Sequence, residues 1–242
     1  MSVIIVENKD KVIAKLSEII EETARISIQK RGKFLVGFSG GSLATFLATG
    51  LPKIQTDFSK WTIFFCDERV VPVNNPDSTF GLYKKTLIDS GAVPLKDEQF
   101  VQIEQGVPAD VAARAYENKV REHFPKANTP RFDLLLLGMG PDGHTCSLFP
   151  GHSLLEEKSK WFAPITDSPK PPPSRVTMTY PVVNNADVCV FAAAGKEKAD
   201  MIKRILVDKE DLPATRVRPV SGDLYWIIDN DAGQFLNTQT SV

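Results

Sequence analysis

The sequence predicts an α/β fold in three layers, with helices covering both faces of a mainly parallel central sheet. Three observations lead there. The short runs Phe34–Phe38, 61–66 and 132–137 are apolar throughout, as strands buried on both faces must be. Amphipathic segments with apolar residues at helical spacing separate these runs. Polar or glycine-rich clusters follow each run directly, at 39–42, 67–69 and 138–144, where ligands bind in open α/β sheets.

The elements follow in order. Residues 3–6 read as a short strand. Val12, Leu16, Ile19, Ile20, Ala24 and Ile28 then mark one face of a helix, with Asn8 or Asp10 as its N-cap. Phe34–Phe38 is a strand that stops at Ser39, and Leu43, Phe46, Leu47 and Leu51 form a second helix ended by Pro52. Residues 61–66 are a strand, 78–89 a helix, 100–103 an extended segment and 110–124 a helix running to Pro125. The most apolar strand is 132–137, closed by the glycine-rich loop 138–143. Strands at 175–180 and 187–193, a helix at 197–207, a strand at 224–228 and a short helix at 231–236 complete the chain. The run Ser168-Pro169-Lys170-Pro171-Pro172-Pro173 is a stiff loop rather than a tether, so residues 1–242 are read as a single domain.

Charge narrows the function classes. The 242 residues carry 29 basic and 30 acidic side chains, so no broad basic field exists to hold a nucleic acid or an anionic membrane. A few local cations still suffice for one phosphate. Cys66, Cys146 and Cys189 are odd in number and form no CxxC pair, which reads as three reduced thiols in a reducing compartment. The apolar stretch at 3–6 is too short for a signal peptide core, and 134–137 is far too short to span a bilayer. A cytosolic monomer that binds a small molecule is the expectation.

Ser39-Gly40-Gly41-Ser42 joins a strand to a helix, where backbone N–H groups and the helix dipole favour an anion. A tight turn that needs glycine only for its geometry would look the same. Asp67-Glu68-Arg69 is either a solvated strand end or a source of a planar donor fork, Arg69, for a carboxylate or oxyanion. His144 follows the loop Gly138-Met139-Gly140-Pro141-Asp142-Gly143, and an imidazole there is placed to take and return a proton near neutral pH. A capping or core histidine is the bland alternative. His123, at a helix end, and His152, in a Pro-Gly loop, have structural readings. A Cys146 nucleophile is unattractive, because positions two apart on a helix do not face each other. A zinc site from Asp142, His144, Cys146 and His152 lacks ligand geometry. Lys170 and Arg175 flank the proline run, which reads either as a polyproline ligand or as a rigid arm that presents cations. Lys198, in the first turn of a helix, is unfavourable to the dipole unless an anion compensates it.

Taken together, Ser39-Gly40-Gly41-Ser42, Cys66-Asp67-Glu68-Arg69, the block from Leu137 to Pro150 that contains Asp142-Gly143-His144-Thr145-Cys146-Ser147-Leu148-Phe149, and the 168–173 proline run resemble the 6-phosphogluconolactonase family, in the same order and at similar spacing. Arg175-Val176-Thr177-Met178-Thr179, Gly195 with Lys198, and Leu224-Tyr225-Trp226 extend the match to nearly the whole chain. Leu43-Ala44 stands where some members have Thr-Pro. The resemblance implies a Rossmann-like fold shared with glucosamine-6-phosphate deaminase, ribose-5-phosphate isomerase and CoA transferases. It implies metal-free, cofactor-free opening of a phosphorylated sugar lactone in the oxidative pentose phosphate pathway. Ser39, Gly40, Gly41, Ser42, Lys170, Arg175 and Lys198 would hold the substrate phosphate, and His144 would be the general base. By their own chemistry, Arg69 or loop amides are the candidates to stabilise the oxyanion, and Asp142 or Asp67 to orient the imidazole. The deaminase carries a glutamate five residues after the histidine; Phe149 occupies that position here, which favours a lactonase.

Overall fold

The computed structural model describes residues 1–236. Strand β1 (Ser2–Val6) is followed by α1 (Lys9–Arg31), whose first turn is capped by the Asn8 side chain accepting from the Lys11 amide. Next come β2 (Phe34–Phe38), α2 (Ser42–Gly50), β3 (Trp61–Phe65), the three-residue β4 (Asp67–Arg69) and α3 (Thr79–Tyr83). Then follow α4 (Ala109–His123), β5 (Leu134–Leu137), β6 (Phe162–Ile165), β7 (Arg175–Met178), α5 (Tyr180–Val183), β8 (Val188–Ala193), α6 (Ala199–Leu206) and β9 (Asp223–Asp229).

Six strands form one sheet in the order β1-β9-β8-β5-β2-β3, every neighbouring pair parallel. Strand periodicity sorts its side chains. Phe34, Val36, Phe38, Leu134 and Leu136 pack on one face with residues of α1 and α2. Leu35, Leu135 and Leu137 pack on the other with residues of α4 and α6. Both faces are thus covered, which is why these runs are apolar throughout rather than alternating.

From β2 the chain moves to β3 on one side, while β5 lies on the other side of β2 and leads on toward β8. Connections that leave adjacent strands in opposite directions open a crevice beyond their carboxyl ends. The loops 39–42 and 138–144 flank that crevice.

Three expectations and one omission need correction. The charged segment 67–69 is no frayed strand end; it pairs antiparallel with β7 in a second, three-stranded sheet, β4-β7-β6. The apolar run 61–66 hid that switch, because both sheets bury their strands at this point. Strand β6 went unpredicted, its Pro164 arguing against a strand. Residues 100–103 make only an isolated bridge from Phe100 to Ile63, and 231–236 are turns rather than a helix.

Candidate active site

Ser39 leaves the sheet with its amide bonded to Leu136 O at 3.1 Å and its carbonyl accepting from the buried Tyr83 hydroxyl at 2.6 Å. Gly41 then caps α2 at φ 72°, a left-handed conformation that disfavours side chains, and offers no side-chain acceptor to the first turn. The first amides of α2, at Ser42 and Leu43, therefore lack a side-chain cap, while the Ala44 amide donates to Gly41 O at 3.1 Å. The Ser39 hydroxyl is buried and without a partner.

β4 places its charges by register. Arg69 lies directly opposite Arg175 across the antiparallel pair, and Asp67 lies opposite Thr177. Like charges at opposed positions repel. Burial first, and then the Arg69 charge, pulls the Arg175 guanidinium below its ordinary pKa. Arg69 donates to Asp77 O at 2.9 Å, while its Nε is buried without an acceptor. Between them Glu68 is buried and accepts from the amides of Arg69, Thr79 and Phe80 at 2.7–2.8 Å, fixing β4 to the start of α3. Burial raises its pKa, opposed by those amides.

The loop after β5 is folded around His144. The Gly140 amide donates to His144 O at 2.9 Å, and a Cβ on Gly140 would run into the imidazole. The Nδ1–H of His144 donates to Asp142 Oδ1 at 2.5 Å, and the ring rests on Phe149 with centroids 4.7 Å apart. This contact fixes the tautomer and leaves Nε2 with a lone pair. Burial lowers the His144 pKa, outweighing the Asp142 carboxylate that raises it; the Lys170 charge adds to the lowering. For Asp142, burial opposes ionisation, but the hydrogen bonds and charges of His144 and Lys170 together bring its pKa down to about 2.

These parts line one cavity of about 230 Å³, bounded by Ser39, Gly40, Gly41, Ser42, Asp67, Arg69, Gly138, Met139, Gly140, His144, Cys146, Arg175 and Lys198. A larger cavity of about 410 Å³ lies beside Ile205, Leu224 and Trp226 and is lined by none of these residues. Volume alone does not choose the site; convergence of polar groups does.

Of the two acids considered for the imidazole, Asp142 makes the contact, whereas Asp67 accepts from Ser147 Oγ at 2.8 Å. Lys198 reaches Met139 O at 3.3 Å on the cavity wall. Lys170 sits instead behind the histidine, with Nζ 3.1 Å from Asp142 Oδ1 and 3.2 Å from His144 Nδ1. Arg175 lines the cavity but directs most of its donors to the proline arm. Ser147, which joins Asp67 to Arg175, was not singled out from the sequence although it lies inside the most specific block.

Residues 144–146 are not helical, as the cysteine argument assumed. Thr145 bridges to Leu148 in a tight turn and Cys146 takes φ 50°. Its buried thiol meets Cys66, and that contact together with burial raises its pKa well above the ordinary value, which works against a thiolate nucleophile. His152 bonds Asp167 at 3.0 Å and caps the Leu154 amide at 3.1 Å. Among the described residues no three His, Cys, Asp or Glu side chains are grouped to hold a metal ion, and no helix is long and apolar enough to cross a membrane.

The family model described as glucosamine-6-phosphate isomerases/6-phosphogluconolactonase matches residues 7–226. The chain belongs to this family. A rat protein named 6-phosphogluconolactonase is 46% identical over 231 residues, covering 93% of this chain and 89% of its own. The human protein of that name is 45% identical, covering 92% and 89%. A crystal structure of 6-phosphogluconolactonase from Thermotoga maritima superposes with a TM-score of 0.80 at 26% identity, covering 94% of this chain and all of that one. The family's two named activities share this scaffold, so the site must decide between them. At the position where the deaminase is expected to carry glutamate, the buried Phe149 ring supports the imidazole.

Proposed function

We propose that this chain hydrolyses 6-phospho-D-glucono-1,5-lactone to 6-phospho-D-gluconate, the lactone-opening step of the oxidative pentose phosphate pathway. The observation that carries the reading is His144 itself: Nδ1 is pinned by Asp142, and the ring lines the same cavity as an uncapped helix N-terminus and three cations. The names of the mammalian relatives support it.

The phosphate dianion occupies the 39–42 loop, where open amides, the Ser39 hydroxyl and Lys198 receive it. That anchor fixes the lactone carbonyl carbon against a water on Nε2 of His144. Nε2 takes a proton from the water as its oxygen bonds to C1, and the carbonyl electrons move onto oxygen. Arg69 faces the developing charge with its unpartnered Nε–H; one strong donor of this kind is worth ~3–4 kcal/mol in the transition state. Collapse of the tetrahedral species breaks the bond from C1 to the ring oxygen, which receives the proton back from Nε2. The pKa shift suits this role, because a lowered value keeps the imidazole neutral near pH 7.

The test is acid release from freshly prepared lactone, followed by pH-stat and corrected for spontaneous opening. Enzyme-dependent release is expected, with no turnover of glucosamine 6-phosphate or an aldose phosphate. Ammonia release from the amino sugar, or tight binding of the lactone with no turnover, overturns the assignment in favour of a deaminase or a sugar-phosphate sensor.

A further inference from the structure

Arg175 is 2% exposed, and a guanidinium that deeply placed has to make its hydrogen bonds inside the protein. Its five N–H groups can be followed. Nε donates to Pro172 O at 3.0 Å, and Nη2 donates to Lys170 O at 2.8 Å and to Pro171 O at 3.2 Å. Nη1 gives one longer bond, 3.4 Å, to Ser147 Oγ, whose own proton goes to Asp67. Three consecutive carbonyls of the proline arm thus converge on one planar fork, leaving a single N–H for any ligand. The arm delivers the Lys170 side chain to the back of the histidine, against Asp142 Oδ1 and His144 Nδ1.

We propose that Arg175 is a positioning residue that holds the 170–172 backbone so that the Lys170 ammonium stands against the Asp142–His144 pair and favours the uncharged imidazole. This rests on His144 being the base, and it gives Lys170 and Arg175 a role distinct from gripping the phosphate. An ammonium 3.2 Å from an imidazole nitrogen repels the imidazolium. It also binds Asp142, drawing off part of the carboxylate's pull toward the charged form. A lysine in place of Arg175 keeps the positive charge but offers no fork to three carbonyls. The other charged groups near the ring are Asp142 on its own loop and Asp67 on β4, with Arg69, Arg175 and Lys198 around the cavity. With Lys170 displaced, the two carboxylates dominate the near field and the imidazole becomes easier to protonate.

The experiment titrates the His144 imidazole by NMR in the ligand-free protein and measures kcat and KM for the lactone across pH. The variants are Lys170→Met, Lys170→Arg, Arg175→Lys and the double variant Lys170→Met/Arg175→Lys. The His144 titration should move to higher pH in Lys170→Met and in Arg175→Lys, and return toward wild type in Lys170→Arg. Both single variants should lose roughly tenfold in kcat near pH 6.5, a fraction of what a general base supplies, with KM within about twofold. The double variant should be no worse than Lys170→Met, since Arg175 acts through the arm. An unmoved titration in Lys170→Met overturns the proposal, and that variant lies on a half-exposed loop where folding is not at stake. An unmoved titration in Arg175→Lys with KM raised tenfold or more makes Arg175 a phosphate ligand instead. Absence of lactone turnover in the wild type sinks the functional assignment, while the ligand-free titration still judges the positioning role.

Discussion

Replacing Asp142 with asparagine removes one charge and keeps the shape. In the native site the carboxylate accepts the Nδ1 proton at 2.5 Å, and on the proposed mechanism it would gain worth as the imidazole becomes imidazolium in the transition state. A hydrogen bond to a charged group contributes about 1.5–3 kcal/mol. The Asp142 side chain is 35% exposed, so solvent screens it and the lower end, about 1.5 kcal/mol, applies. That corresponds to roughly tenfold in kcat. A second loss is added if the asparagine turns its NH2 toward Nδ1, because the ring proton then moves to Nε2 and the base is occupied. Asp142→Asn should therefore lower kcat by about 10- to 1000-fold, between the bare charge effect and the full worth of a general base. KM should change little, since Asp142 does not line the cavity proposed to take the phosphate. The pH profile supplies an independent sign. Burial already holds the His144 pKa below 6.5 against the pull of Asp142, so the wild-type acid limb should lie below that value. Loss of the carboxylate removes the force favouring the imidazolium, and the limb should move to still lower pH, opposite to its movement in Lys170→Met. The assay is kcat by pH-stat from pH 5 to 7.5. A kcat within threefold of wild type, or an acid limb that rises, would refute the reasoning.

His144→Ala should lose ~10²–10⁴-fold in turnover while still binding 6-phosphogluconate by calorimetry; near-normal turnover in the folded variant removes His144 from the chemistry. Ser39→Ala should raise KM roughly tenfold, because a hydroxyl donating to a phosphate is a charge-assisted bond. Its melting temperature should not fall, since that hydroxyl has no partner to lose in the free protein; a clear drop in Tm would show a structural bond instead. In the product complex, 6-phosphogluconate at ~100 Kd should stabilise the chain by about 2.7 kcal/mol, roughly 5–10 °C in Tm. Gluconate at the same concentration should not; equal shifts would count against a phosphate anchor. Iodoacetamide at pH 7 should leave turnover intact over the time in which an exposed thiol reacts, given the raised Cys146 pKa; rapid inactivation would restore the cysteine nucleophile.

What the sequence disclosed follows from range. Uniformly apolar runs and helical spacing are local signals, and the six parallel strands were readable apart from their order. The loops 39–42 and 138–144 were legible as crevice loops because each directly follows such a run. Pairing of β4 with β7 is a contact between residues more than a hundred positions apart, so Asp67-Glu68-Arg69 looked like an exposed end rather than a strand that opposes two arginines. The choice between Asp142 and Asp67 was likewise undecidable locally. The contact with Asp142 depends on a loop conformation in which Gly140 yields its Cβ space to the imidazole. Lys170 and Arg175 were visible as cations near the prolines, but their direction toward His144 and the arm depends on three backbone carbonyls that no side-chain pattern reports.

The electrostatic layout of the cavity connects these local facts. Arg69 and Arg175 are held face to face by strand register, and Glu68, which could have neutralised one of them, spends its oxygens on three amides. Asp67 is committed to Ser147. The free protein therefore keeps an excess of cations, an open helix terminus and two buried polar atoms without partners, Ser39 Oγ and Arg69 Nε, around one small void. Sustaining such a group of donors lowers the stability of the empty fold, and negative charge brought to them relieves that cost. In the proposed mechanism a phosphate would reach the helix end, and a nascent oxyanion would reach Arg69 later in the reaction. The first interaction would anchor the substrate. The second would strengthen as the carbonyl carbon becomes tetrahedral, and on this mechanism it is the one that would lower the barrier.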